Sequence, residues 1–379
     1  MKMPIYFDHN STTPVDPLVL ETMLPYFSVK FGNAASRTHS FGWVAEQAVE
    51  DARKQVAGLI HAEEGEIVFT SGATEAINLA MKGVFEAYTG KGNHIITTAT
   101  EHKAVLDTCT HLEKAGARIT VLPVQPDGLV DANELIRNID GNTILVSVHY
   151  ANNETGVIQN VKELSDIVHT HGALFLSDAT QACGKIKVDV QAEGIDLLPF
   201  SAHKLYGPKG CGALFVRRKN PRVKLTAQID GGGHEKGMRS GTLNVPGIVG
   251  FGKACELATN RMWDDSQRIS VLRTTLEQNL IEFGGVSVNG NTRQRLPNTT
   301  NLSFSGIAAA SLIKELHDFA LASGSACTSA LPETSHVLRA MSVPENAAHS
   351  SVRFSLGRTN TMEEINLCIE KIRKIYLRR

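Results

Sequence analysis

The chain has 379 residues, 42% hydrophobic and 20% charged, which is enough to bury a large core. Its 38 Lys+Arg against 39 Asp+Glu leave a formal net charge of -1, which excludes a global basic field for nucleic acid and an acidic, disordered chain. Six scattered cysteines show neither C-x-x-C nor another zinc spacing, so no metal site and no disulfide framework is expected. The opening residues MKMPIYFDHNSTTPVDP lack the apolar stretch of a signal peptide, and no run approaches the roughly 18 apolar residues of a membrane span. The composition predicts a reduced, cytoplasmic protein.

In chain order, short β-branched runs at Ile67–Thr70, Ile95–Thr98, Ile144–Val148, Ala173–Leu176 and Ala213–Val216 read as buried strands. Helix-length stretches at 74–88, 102–116 and 161–171 fall between several of them. Alternation of strand and helix, with near-continuous apolar strands, predicts an α/β fold on a mostly parallel sheet. Ligands of such sheets gather at the carboxyl ends of the strands. After about residue 260, Met262, Ile269, Leu272, Leu276, Leu280 and Phe283 recur at helical spacing and predict one long amphipathic helix. Short strands and helices occupy the remainder. The reading is a large domain over 15–260, with 1–14 and 261–379 forming a smaller α+β domain.

Chemistry can sit at several points. Thr70-Ser71-Gly72-Ala73-Thr74-Glu75 leaves a strand and opens a helix, so its hydroxyls and unpaired N–H groups form either an anion site or an ordinary cap at Ser71 or Thr74. Asp178, after the run Ala173–Leu176, is an acid at the sheet edge, able to hold a protonated ring nitrogen or to cap the next turn of the chain. Lys204 comes after the strand-like Asp196–Phe200; partial desolvation there lowers a lysine toward an amine able to form a Schiff base. An anion cup, an acid and a lysine on one sheet are the three anchors of a pyridoxal phosphate site. Cys327 stands in the small, polar segment 323–330, where a thiolate can reach a substrate, while Cys109, Cys183, Cys211, Cys255 and Cys368 sit in apolar or helical surroundings. The glycine-rich stretch 230–242 fits neither dinucleotide nor P-loop spacing, and Arg353 on a short strand can clamp a carboxylate or join an ion pair.

Taken together, TSGATEAINLA, TEHKAVLDTC, NNETGVIQ, SDATQACGKI, SAHKLYGPKGCGALFVRR, GGGHEKGMRSGT, SGSACTSA and RFSLGR resemble the group I cysteine desulfurases, relatives of the class V aminotransferases. The resemblance spans essentially the whole chain. It implies a fold type I, pyridoxal-5'-phosphate-dependent transferase that acts as a homodimer. Lys204 would carry the cofactor and shuttle protons, Asp178 would pair with its ring nitrogen, and His102 would stack on its face and take a catalytic part in proton transfer. Ala73, Thr74, Ser201 and His203 would hold the phosphate, with Thr242 reaching across from the second subunit. Asn153 and Gln181 would touch the ring and its oxygen, while Asn33 and Arg353 would receive the substrate carboxylate.

Cys327 would then take sulfur from L-cysteine as a persulfide, releasing L-alanine, and pass it to a sulfur-acceptor protein. Iron–sulfur assembly, tRNA thiolation and DNA phosphorothioate modification are the destinations the resemblance offers. The family usually has proline where Ala34 stands, and housekeeping members carry a tail beyond the equivalent of KIRKIYLRR, which favours a dedicated donor here. The competing readings are a selenocysteine lyase or other class V enzyme, and a non-catalytic scaffold. The presence of Lys204, Asp178 and Cys327 together disfavours the scaffold.

Overall fold

The computed structural model describes residues 3–323, 334–376 and 378. Cys327 and the segment around it lie outside the described residues. The centre is a seven-stranded sheet in the order Ile67–Thr70, Gly212–Val216, Leu197–Ser201, Leu174–Leu176, Thr143–Ser147, His94–Thr98, Arg118–Leu122. Gly212–Val216 runs antiparallel to both of its neighbours, and the remaining pairs are parallel.

The pleat explains the continuous apolar strands. Ile67, Phe69, Ala213 and Phe215 enter one buried cluster, while Val68, Leu214 and Val216 enter another on the opposite face. Each fully buried Leu, Ile or Phe contributes roughly 1.5–3 kcal/mol of transfer free energy. The helix Ala73–Ala87 packs Ala76, Ile77, Ala80 and Val84 against one face, a spacing of three and four residues.

The predicted long helix is longer than its periodicity shows, running from Val245 to Ile281. Pro246 in its first turn fixes a helical φ, and Asn244 caps it by accepting from the Gly247 amide at 3.2 Å. Its glycine- and alanine-rich first half, which carries little periodic signal, lies on the sheet layer through Ile248, Phe251 and Ala258. Its second half enters a separate core with Ile269, Leu276 and Leu280. That core also holds Phe7, Phe304, Phe354 and Ile372, around an antiparallel sheet of Ser351–Ser355, Thr299–Phe304 and Val286–Val288. Ile5–Tyr6 pairs in parallel with Phe319–Ala320, so the N-terminal segment is tied to the second core before it crosses toward the large sheet. Among the described residues, no helix is long and apolar enough to cross a membrane.

Candidate active site

Sheet order brings the predicted residues to one edge. His102 follows the strand His94–Thr98, Asn153 follows Thr143–Ser147, Asp178 follows Leu174–Leu176, and Ser201 ends Leu197–Ser201. These four strands are consecutive neighbours and parallel, so their carboxyl ends face the same side.

Lys204 ends a single 3-10 turn, Ala202–Lys204, directly after Ser201. Its Nζ donates to the carbonyls of Asn10 at 2.5 Å and Ser11 at 2.7 Å. Residues 12 and 13 strap this turn down: Thr13 donates from both its amide and its hydroxyl to the His203 carbonyl at 2.9 and 3.0 Å, and Thr12 Oγ1 meets His203 Nδ1 at 3.1 Å. Tyr206 then reverses the chain with φ +66°, a left-handed conformation that costs a non-glycine residue of order 1 kcal/mol. Its amide donates to Thr13 Oγ1 at 2.8 Å, its hydroxyl accepts from the Arg358 amide at 2.7 Å, and the Arg358 guanidinium lies 4.3 Å from its ring. The lysine is held by structure on three sides.

Asn10 is the node that composition could not reveal. Its carbonyl accepts from Gln181 Nε2 at 2.9 Å as well as from Lys204. Its Nδ2 donates to the Asn153 carbonyl at 3.1 Å and to Thr299 Oγ1 at 2.9 Å, and its Oδ1 accepts from Asn298 at 3.1 Å. Residues from the N-terminus, the sheet edge and the second core therefore meet on one buried side chain. The signal for it was the polar run Asn10-Ser11-Thr12-Thr13 soon after an apolar strand.

The helix start takes a form the cap reading did not foresee. Gly72, not Ser71 or Thr74, is the residue before the helix Ala73–Ala87, and no side chain caps it. The first-turn amides thus point outward with the positive end of the helix dipole. A Cβ on Gly212 would stand 2.6 Å from Gly72 Cα, so a glycine there lets the strand and the helix start approach closely; a Cβ built on Gly72 would stand 3.8 Å from Ser201 Oγ, which places Ser201 beside the helix start. Glu75 accepts from the Ser71 amide at 2.8 Å and from Arg239 at 2.7 Å, which fastens the glycine-rich segment to this turn. That segment is also anchored deeper in the fold. Glu235 is buried and accepts from Arg53 at 2.8 and 2.9 Å and from the Phe69 amide at 2.8 Å. Thr242, farther along, is exposed.

Asp178 is buried, and its Oδ1 accepts from the Thr180 amide at 2.9 Å. His102 caps the helix Lys103–Lys114 by accepting the Ala104 amide on Nδ1 at 3.1 Å, which leaves the proton of a neutral ring on Nε2. Behind it Glu101 is fully buried; burial and the charge of Asp178 push its carboxyl well up. His149, 3.8 Å from Glu101, is pushed down to about 4 by burial. His203 is likewise lowered to about 4, by burial and by Lys204, Lys209 and Lys185. Neither Glu101 nor His149 stood out in the sequence, because both lie in segments read for their neighbours.

Arg353 is buried and already paired. It donates from Nη2 to Asp8 at 2.6 Å and Ser11 Oγ at 2.9 Å, and from Nη1 to the Asn153 carbonyl at 3.0 Å. The ion pair and the site turn out to be the same place, since Asn153 and Ser11 also contact the Asn10 and Lys204 groups. Asn33 is exposed, and its side chain accepts from the amide of nearby Ala35 at 2.9 Å. Among the described residues no hydrogen bond ties Asn33 to the Lys204 cluster. Cys109, Cys183, Cys211, Cys255 and Cys368 are buried, with thiols raised by desolvation.

The Aminotransferase class-V model matches residues 5–367. A protein named Cysteine desulfurase IscS from Anaeromyxobacter sp. (strain Fw109-5) is 53% identical over 99% of this chain and 94% of its own. Among solved structures, a NifS-like protein superposes with a TM-score of 0.92 at 38% identity, covering 100% of both chains. A structure described as SspA in complex with cysteine gives a TM-score of 0.83 at 35% identity, over 94% of this chain and 100% of that one. The chain belongs to the class V aminotransferase family, with the fold type I architecture of its pyridoxal-phosphate-dependent enzymes.

The residues fit that cofactor: an uncapped helix start beside Ser201, a buried acid, a strapped lysine, and a buried Thr180 hydroxyl that has no partner among the described residues. Bound there, pyridoxal phosphate supplies an electron sink for the α-carbon of an amino acid.

Proposed function

We propose that this enzyme is a cysteine desulfurase whose site is built from the residues above. Overall, L-cysteine and the Cys327 thiol give L-alanine and a persulfide on Cys327. The Cβ–S bond of cysteine breaks and an S–S bond to Cys327 forms. The electron pair released by sulfur reduces the β-carbon to a methyl group, and the thiol proton is balanced by the one taken up there. No external oxidant enters.

Lys204 binds the cofactor's aldehyde carbon and moves the α-proton. Asp178 keeps the ring nitrogen protonated, and His102 covers the ring face. Ala73, Thr74, Ser201 and His203 hold the phosphate; a neutral His203 is a hydrogen-bond donor there rather than a second charge. Asn153 and Gln181 orient the ring. Arg353 receives the substrate carboxylate, and its Nε, buried without a hydrogen-bond partner among the described residues, is the donor we assign to it. Asn33 would join from its exposed segment as substrate binds.

The observation that carries this reading is the convergence of Lys204, Gln181 and Asn153 on Asn10 beside the uncapped helix start. A homodimer is supported by an apolar surface in one segment: Leu24, Phe27, Phe31, Phe41 and Trp43 are all at least half-exposed, with the Phe31 and Phe41 rings 5.1 Å apart. Thr242 would then complete the phosphate cradle of the second subunit. The IscS-named relatives favour iron–sulfur assembly as the destination of the sulfur. A cytoplasmic setting agrees with the reduced thiol this chemistry requires.

The test is turnover of L-cysteine by purified protein with pyridoxal phosphate and a reductant, beside Cys327→Ser. Alanine and sulfide in equal amounts from the wild type, and little from the variant, support the reading. Keto acid as product, or turnover restricted to selenocysteine, replaces it with an aminotransferase or a lyase.

A further inference from the structure

Lys185 is a second lysine in the Lys204 cluster, and none of the roles above uses it. It lies four residues after Gln181, half-buried, and its Nζ donates to Gln181 Oε1 at 2.7 Å and more weakly to Asn10 Oδ1 at 3.4 Å. Gln181 Nε2 in turn donates to the Asn10 carbonyl, the same atom that accepts from Lys204. An amide can lie in its pocket either way round. With an amine fixed on its oxygen, only one orientation is satisfied.

We propose that Lys185 is a positioning residue: by holding Gln181 Oε1 it fixes the amide so that its N–H, not its oxygen, meets the Asn10 carbonyl that also accepts from Lys204. This rests on the reading that Lys204 carries the cofactor. An N–H donated to that carbonyl competes with a protonated Lys204 nitrogen for the same oxygen, whereas an amide oxygen turned to this side would stabilise the added proton. The arrangement thus favours the unprotonated nitrogen.

The surroundings make a purely structural role a poor account. Lys185 faces Lys204 and Arg353, with His9, His203 and the Cys183 thiol nearby, and no carboxylate pairs with it among the described residues. Burial and the two cations push its amine well below the ordinary lysine range. A half-buried amine with like charges around it and no carboxylate partner opposes folding, and an apolar side chain of similar length would serve packing better. Its presence points to Gln181.

The experiment uses the cofactor-loaded protein and reads the pH midpoint of the visible absorption band of bound pyridoxal phosphate. Lys204→Ala first establishes that the band depends on Lys204; a band that persists unchanged removes the site reading itself. With the band assigned, Lys185→Met is expected to raise the midpoint by about one pH unit, tenfold in proton affinity. The shift is expected to vanish when the same substitution is made in a Gln181→Leu background, because the two residues act as a unit. Lys185→Leu serves in the same way if the methionine variant does not fold. Thermal melting is expected to show the Lys185 variant no less stable than wild type. An unmoved midpoint in a folded Lys185 variant overturns the proposal, and so does an equal shift with and without Gln181.

Discussion

Arg239 grips Glu75 through two hydrogen bonds, 2.7 and 3.3 Å long, and so joins the glycine-rich segment to the first turn of the helix Ala73–Ala87. Glu75 is held below its ordinary range by its hydrogen bonds to Arg239 and Ser71, in spite of burial. A carboxylate beside the phosphate site proposed here is tolerable because Arg239 neutralises it.

Arg239→Ala leaves that carboxylate uncompensated next to the phosphate. Affinity for pyridoxal phosphate is expected to fall about tenfold, while affinity for pyridoxal, which lacks the phosphate, is little changed. Glu75→Gln in the same chain is expected to recover much of the loss. Equal weakening for both compounds would show that the pair supports the fold and not the cradle. Fluorescence titration of the apoprotein reads both.

Gly212 is required by contact, since an added Cβ would meet Gly72 Cα at 2.6 Å and the Phe200 carbonyl at 2.9 Å, both backbone. Gly212→Ala is expected to cost about 1–3 kcal/mol in urea unfolding and to weaken pyridoxal phosphate binding more than tenfold. Gly141→Ala, where no heavy atom lies within 4 Å of the new Cβ, is the control and should change neither.

Glu154 gives a pH signature. Burial raises its carboxyl to about 7 against the opposing pull of Ser335 and Arg353. The native state therefore binds a proton that the unfolded chain releases near its ordinary value. The cost of the charged form grows as pH rises through the window up to about 7 and is constant above. Glu154→Gln removes it. The variant's stability relative to wild type is expected to improve by up to about 3 kcal/mol between pH 5 and pH 8. Parallel stability curves would contradict the buried carboxyl as the source.

The strands, and the polar residues that follow them at the sheet edge, could be read from the sequence because they are local. An apolar run followed by Ser, Asp or Lys marks a sheet edge whatever the tertiary contacts. Asn10 could not be found that way, since its partners Asn153, Gln181, Lys204 and Thr299 lie 143 to 289 residues off. Glu235 escaped notice for a related reason: it stands in a glycine-rich stretch with no local pattern, and its buried pairing with Arg53 depends on a helix 182 residues earlier in the chain. The start of the helix Val245–Ile281 was hidden because Gly247, Gly250 and Gly252 face close neighbours and break the apolar periodicity.

Reduction with borohydride of the cofactor-loaded protein, followed by peptide mapping, fixes the cofactor on whichever lysine holds it. Lys204, in the peptide containing Ser201 and His203, is expected to be the single modified residue. Modification at Lys185, the other amine on Asn10, or at Lys209 would assign the cofactor to another lysine and overturn the site.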